Sequence, residues 1–176
     1  NPDSVLIIHF SASEPGKINS QLILWNSHGK GPVYTEQGAT FQGKLDLLSF
    51  YARMSIRNDG GIVTASESGI EVKNANSFTI LLRGNTNFDP VSPSYIYDET
   101  TLPSQVDRMI INAAQKTYPE LKNDHITDYK TLFDRFSLDL ENTENTIPTD
   151  ELINVYKTGG YKNLFLELLY FHYGRY

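Results

Sequence analysis

Cysteine is absent from the 176 residues, which excludes disulfides, thiolate metal sites and cysteine nucleophiles. A chain without cysteine folds in reducing and oxidising compartments alike, so its location stays open. No apolar run reaches the roughly 18 residues of a membrane-spanning helix, and no basic-then-apolar leader opens the sequence. Positive charge is short: 15 Lys and Arg stand against 21 Asp and Glu, a net −6. On either side of residue 100 the balance is −3, 7 against 10 and then 8 against 11, so no basic patch marks a nucleic-acid footprint. Internal repeats and low-complexity tracts are missing too. Neither nucleic acid nor membrane is expected as a partner.

What is present suits a globular chain. Hydrophobic residues make up 39% and aromatics 12%, enough to exclude disorder. At 19.9 kDa, surface scaling predicts that a compact fold exposes about 8,700 Å² and buries about 70% of its unfolded surface.

Composition changes near residue 100. Nine of the 12 glycines precede it, among runs rich in Val, Ile, Thr and aromatics. Longer segments of Leu, Lys, Asp and Glu with helical spacing follow. The fold class expected is therefore α+β, an antiparallel β-sandwich portion followed by helices.

Ser4–Phe10 and Leu22-Ile23-Leu24-Trp25 are apolar on both faces, which predicts strands covered on both sides, with Trp25 in a core. The chain thus opens in what reads as an interior strand of an incomplete sandwich. From Leu48 the pattern alternates, with Phe50, Ala52, Met54 and Ile56 on one face and Tyr51, Arg53, Ser55 and Arg57 on the other. Asn58-Asp59-Gly60-Gly61 then predicts a tight hairpin returning through Ile62-Val63-Thr64. Further strands are expected at Ile70–Val72 and Ser77–Leu82. A polar connector, residues 89–101, leads to helices at about Pro103–Thr117, Asp124–Phe136, Thr149–Lys157 and Asn163–Tyr176. Pro103 fits a first helical turn, whereas Pro119 and Pro148 mark breaks. Gly159-Gly160 separates the last two helices.

Chemistry is sparse. His125 and Asp128 share a helical face at i, i+3, and Arg135 follows two turns on. Without a second histidine the segment lacks a metal set. An orienting role, with Asp128 fixing the His125 tautomer, is chemically open, but a helix N-terminus with acidic residues and an ion pair lower down is the preferred reading. The histidines, His9, His28, His125 and His172, are scattered, and His9, in an apolar strand, fits a satisfied buried histidine. No nucleophile elbow or phosphate-binding loop occurs. The carboxylates sit in polar contexts such as Glu141-Asn142-Thr143-Glu144, not in the apolar setting that raises a general acid's pKa. No cofactor and no metal are expected. The run Leu164–Tyr176 reads as a helix buried among others, in which Gly174 permits close backbone approach and Arg175 needs a buried acidic partner.

Several ordered stretches resemble family-95 glycoside hydrolases, the α-L-fucosidase group that also includes α-galactosidases. They are Arg53-Met54-Ser55-Ile56 leading to Asp59-Gly60-Gly61, then Ile70–Leu82 with Thr86-Asn87-Phe88. His125–Leu140, Pro148-Thr149-Asp150-Glu151 and Tyr170–Tyr176 complete the set. The resemblance implies an N-terminal β-sandwich joined by linker helices to an (α/α)₆ toroid that holds the catalytic groups. Residues 1–88 would be part of the sandwich, 89–101 a connector, 102–158 the helical linker and 159–176 the first toroid helix. Asp59, Gly60, Gly61, His125, Asp128, Arg135, Gly174 and Arg175 carry over as structural motif positions. No catalytic residue carries over, because the family's acid, base and asparagines match positions beyond Tyr176.

The parent protein implied is an inverting hydrolase acting on oligosaccharides or glycans, and the resemblance favours export to the cell exterior or periplasm. An opening Asn1 and an apolar helix running to the last residue make a piece of a longer polypeptide the expectation, with self-association through residues 163–176. The alternative is a carbohydrate-binding or structural sandwich without hydrolase activity.

Overall fold

The computed structural model describes residues 2–28, 31–140, 145–159 and 163–175. Glu141–Glu144, Gly160 and Tyr176 lie outside the described residues. The chain divides into two compact units, residues 1–125 and 126–176.

In the first unit eight strands form two antiparallel sheets. They are β1 (Leu6–Ser11), β2 (Ile18–Leu22), β3 (Val33–Thr35), β4 (Gly38–Leu45), β5 (Leu48–Asp59), β6 (Ile62–Ser66), β7 (Gly69–Ala75) and β8 (Ser77–Thr86). One sheet has the order β1-β8-β5-β4-β3, the other β2-β7-β6. Ala39, Met54, Ile56, Phe78 and Ile80 of the larger sheet pack with Ile70, Val72 and Ala75 of the smaller. Fully burying each large aliphatic or aromatic side chain there contributes about 1.5–3 kcal/mol.

The alternation in β5 meets this core as expected, with Ala52, Met54 and Ile56 all buried in the chain. The opposite face of β5 meets a helix. A 3₁₀ turn, Glu99–Thr101, runs into α1 (Leu102–Ala114), with Pro103 in its first turn. Ile110 and Ala113 of α1 cluster with Val5, with Leu81 of β8 and with Leu121. Tyr51 OH donates to Asp107 Oδ1 at 3.0 Å, and Arg53 Nη1 lies 3.2 Å from the same oxygen. Arg57 donates to the carbonyls of Ala114 and Lys116, both at 2.9 Å. A cation there satisfies carbonyls left free where the helix ends.

The hairpin expected at Asp59-Gly60-Gly61 does not form. β5 pairs with β4 over Leu48–Ser55 and with β8 over Phe50–Asp59, where Asp59 is paired to Ser77. β6 does not return along β5 but pairs with β7 in the other sheet. The two glycines, with φ of 67° and 68°, turn the chain from one sheet to the other. Left-handed backbone is used as anticipated, but for a corner.

Two strand expectations are corrected. Among the described residues β1 pairs with β8 alone and forms an edge, leaving Leu6 and Phe10 about half exposed. β2 ends at Leu22, and Trp25 stands 78% exposed beyond it. Tyr34 explains this: its OH donates to Leu24 O at 2.9 Å and accepts from Leu24 N at 3.0 Å. Leu24 packs against the core, and period-two alternation sends its neighbours Ile23 and Trp25 outward.

The second unit is helical. It takes the later part of α2 (Tyr118–Phe133), then α3 (Thr149–Gly159) and α4 (Leu164–Arg175). Asn163 caps α4, its Oδ1 accepting from Leu166 N at 2.9 Å. Tyr156 OH of α3 donates to Glu167 Oε1 of α4 at 3.1 Å.

Two expected outcomes follow from the β5 contacts. A Cβ at Gly61 would stand 2.2 Å from Lys73 O and 2.6 Å from Ala75 N, with φ already positive. Gly61→Ala should therefore cost about 2–4 kcal/mol, lowering the thermal midpoint by several degrees, whereas Gly174→Ala, whose Cβ meets nothing within 4 Å, should not lower it. For Tyr51, burial first, then the hydrogen bond and charge of Asp107, push the phenol up from 10.0 to about 12, Arg53 opposing. The folded value exceeds the unfolded one, so the contribution is present below pH 10.0 and lost as pH rises through about 12. Tyr51→Phe should cost about 1 kcal/mol near neutrality, a difference that denaturant midpoints should show closing across that alkaline window.

Candidate functional site

The motif residues fall into three places. Asp59, Gly60 and Gly61 form the corner between the sheets, and Asn76 is its hub. Asn76 N donates to Asp59 O at 2.8 Å, and Asn76 Nδ2 lies 3.4 Å from Asp59 Oδ2. Its own side-chain oxygen accepts from Gly16 N, and its carbonyl from Ala12 N, both at 2.9 Å. The β5–β6 and β7–β8 crossings are thus tied to each other and to the β1–β2 loop. Asn76 was visible only as part of a strand-to-strand run.

His125 and Asp128 lie within α2, not at its start. The helix begins six residues earlier than expected, at Tyr118, and Pro119 sits inside its first turn. Thr117 and Glu120 explain the start. Thr117 N and Oγ1 both donate to Glu120 Oε2 at 2.7 Å, and Glu120 N donates to Thr117 Oγ1 at 3.4 Å. This reciprocal pair is a capping box, and its hydrogen bonds hold the Glu120 carboxyl below the usual range. The Thr-x-x-Glu spacing was the available signal. Arg135 follows the helix and donates from Nε to Thr131 O at 2.8 Å.

Gly174 and Arg175 close α4. No close approach uses Gly174 among the described residues. Nor does Arg175 meet an acid there: its Nη2 donates to Phe133 O at 2.7 Å, and its guanidinium lies over the rings of Phe133, Phe136 and Phe171. None of the residues of α4 is buried, and Tyr170 and Tyr173 are about 80% exposed.

Two clefts in the first unit hold polar groups. One, of about 410 Å³, is bordered by His9, Arg57, Asp59, Thr79 and Tyr118. His9 stacks on Tyr118 at 3.9 Å and its Nδ1 is 2.9 Å from Thr79 Oγ1. Burial lowers its pKa, favouring neutral imidazole, as a satisfied histidine requires. The other, about 420 Å³, is bordered by Lys44, Ser49, Phe50 and Glu99. Glu99 Oε2 accepts from Ser49 Oγ and, at 2.9 Å, from Lys44 Nζ. Beside it the buried Asn87 accepts from Ser49 N at 2.8 Å and donates to Tyr97 O at 3.1 Å, anchoring the connector.

These contacts decide what the carboxylates can do. Asp98, Glu99 and Glu120 all have lowered pKa values, through hydrogen bonds from Thr100, Ser49 and Thr117 respectively. A glycosidase general acid needs the opposite displacement. Among the described residues no group of three His, Asp or Glu side chains could hold a metal ion.

Comparison with known proteins agrees with the ordered motifs. Residues 1–91 match the glycosyl hydrolase family 65 N-terminal domain, and residues 117–176 match the glycosyl hydrolase family 95 catalytic domain. The chain is similar to two proteins named "Probable alpha-fucosidase A". That of Aspergillus oryzae is 29% identical over 165 residues, covering 86% of this chain and 22% of that protein. That of Aspergillus niger is 32% identical over 117 residues, covering 65% and 13%. Alpha-L-fucosidase 2 of Arabidopsis thaliana is 24% identical over 209 residues, covering 100% and 25%. The chain spans a quarter or less of the length of these relatives. With a family-65 N-terminal domain over its first half and family-95 catalytic-domain sequence at its end, the chain belongs to the glycoside hydrolases.

Proposed function

We propose that these residues are part of an inverting α-L-fucosidase, or of the closely allied α-galactosidase type, and that they supply its scaffold and not its acid and base. In this reading residues 1–88 belong to the sandwich, 102–158 link it to a toroid, and 159–176 begin that toroid. The observation that carries the proposal is that relatives named as α-fucosidases align with 86% and 100% of the chain, across both the sheets and the helices.

Inversion uses one carboxylic acid to protonate the leaving oxygen and one carboxylate to activate water, about 6.5–9.5 Å apart. The downward-shifted Asp98, Glu99 and Glu120 suit hydrogen-bonded ties and not proton donation. The exposed apolar residues of α4, among them Leu164, Leu169 and Phe171, fit a helix covered by further helices in the longer protein.

The purified 176-residue chain should release no p-nitrophenol from the α-L-fucoside or the α-galactoside. The longer protein should release β-L-fucose first, as read by proton NMR of the anomeric signal. Turnover by the 176 residues that is lost on replacing one carboxylate would overturn the scaffold reading, and a retained α anomer would overturn inversion.

One observation favours a second reading, in which the sandwich also contacts glycan. Trp25, expected in a core, is exposed on backbone pinned by Tyr34, and a fixed indole can stack on a sugar ring. As the single tryptophan, it should report a fucosylated oligosaccharide by a saturable fluorescence change. No change at millimolar sugar removes this reading.

A further inference from the structure

The last turn of α4 holds two buried nitrogen atoms without partners. Arg175 lies among three rings, its Cζ 4.3 Å from the Phe133 centroid, 5.2 Å from Phe136 and 5.6 Å from Phe171. Nη2 caps α2 through Phe133 O at 2.7 Å, but Nη1 is fully buried and has no acceptor. One turn earlier, His172 Nδ1 is equally buried and equally unmatched. The His172 ring stands 5.9 Å from Phe133 and 5.6 Å from Phe171. At i, i+3 the two side chains share a helical face, and both border the same two rings.

Such a pair is not at rest. Guanidinium does not lose its proton in a protein, so burial cannot be relieved by neutralisation. Ring faces attract the cation but leave its N–H without a lone pair in plane. Buried polar groups in folded proteins are nearly all paired, and a buried cation calls for a counter-charge. Among the described residues no carboxylate pairs with Arg175.

We infer that Arg175 and His172 form a receptor for one carboxylate group. With Nη2 bonded to Phe133 O, the buried nitrogens left unmatched are Arg175 Nη1, a donor, and His172 Nδ1, a donor in the tautomer that protonates it, one for each oxygen of a carboxylate. A phosphate would bring close to two negative charges against one fixed cation in a ring-lined site. The carboxylate comes from a free small acid or from an Asp or Glu side chain of a second copy of the chain. The inference is independent of which sugar the parent enzyme cleaves.

The test is ¹⁵N NMR of the histidine rings of the 176-residue chain at constant pH, titrated with sodium acetate against sodium chloride of equal ionic strength. The His172 signals should move saturably with acetate and not with chloride. If a second copy supplies the group, they should instead sit at the shifted position in concentrated protein, return on dilution and be displaced by acetate. Arg175→Lys keeps the charge but loses the fork and should weaken the response about tenfold, one charge-assisted hydrogen bond. Arg175→Met should abolish it, with far-ultraviolet circular dichroism confirming that the helices persist. A His172 signal indifferent to acetate and to dilution, or an Arg175→Met response equal to that of the unaltered chain, would overturn the inference.

Discussion

In β5, even-numbered residues Ala52, Met54 and Ile56 are buried, with Met54 and Ile56 facing the smaller sheet in the sandwich core. Odd-numbered Tyr51, Arg53 and Arg57 reach α1. The strand is twelve residues long, paired with β4 over Leu48–Ser55 and with β8 over Phe50–Asp59. The coverage of both its faces is the constraint from which the first unit is built. Beyond its end β6 joins β7 in the other sheet, and the chain passes through two consecutive left-handed residues, Gly60 and Gly61, where it leaves. Because both faces are occupied, one carries aliphatic side chains for a dry core and the other carries polar ends that grip a helix.

The corner beside β5 shows how backbone groups at such a crossing are satisfied. Buried or half-buried N–H and C=O groups that leave a ladder need other partners. Asn76 supplies four contacts from a single residue, to Asp59, Gly16 and Ala12. Asn87 has the corresponding part at the other end of the sheet, where it fastens the connector to the β4–β5 turn. Both asparagines combine donor and acceptor in one short side chain, which a glutamine could not hold with so little freedom. The motif positions of the first unit are therefore explained by chain path, and their identity does not require substrate.

The helices answer to different physics. α1 is fixed by tertiary contact, with Val106, Ile110 and Ala113 buried. α2 is started by a local device, the Thr117–Glu120 box, and buries Leu121 in the cluster under the sheet. α4 has no buried residue, and what holds Arg175 is an aromatic surround and not an ion pair. Tyr170 and Tyr173 of this helix are about 80% exposed, and the relatives are four or more times longer than the chain.

Periodicity in the sequence determined the α+β class, the two faces of β5, the strands at Ile70 and Ser77 and the approximate extents of α3 and α4. Each depends on side-chain order along a single element. The ordered motifs also determined the family, since Asp59-Gly60-Gly61, the His125–Leu140 stretch and Tyr170–Tyr176 recur together. Tertiary structure alone decided which sheet β6 joins, because Asp-Gly-Gly permits positive φ in a hairpin and in a corner alike, and only the pairing of β6 with β7 distinguishes them. It decided that β1 is an edge and that Trp25 faces water, since an apolar tetrapeptide does not state how far its neighbours extend. The start of α2 was in principle legible in Thr-x-x-Glu, but Pro119 reads as a break until it is seen to occupy a first turn, where its missing N–H costs nothing. Arg175 exchanged the acid it was expected to need for three phenylalanines, because a half-buried charge takes whatever its packed neighbours present, and those neighbours come from α2, the segment after it and α4 itself.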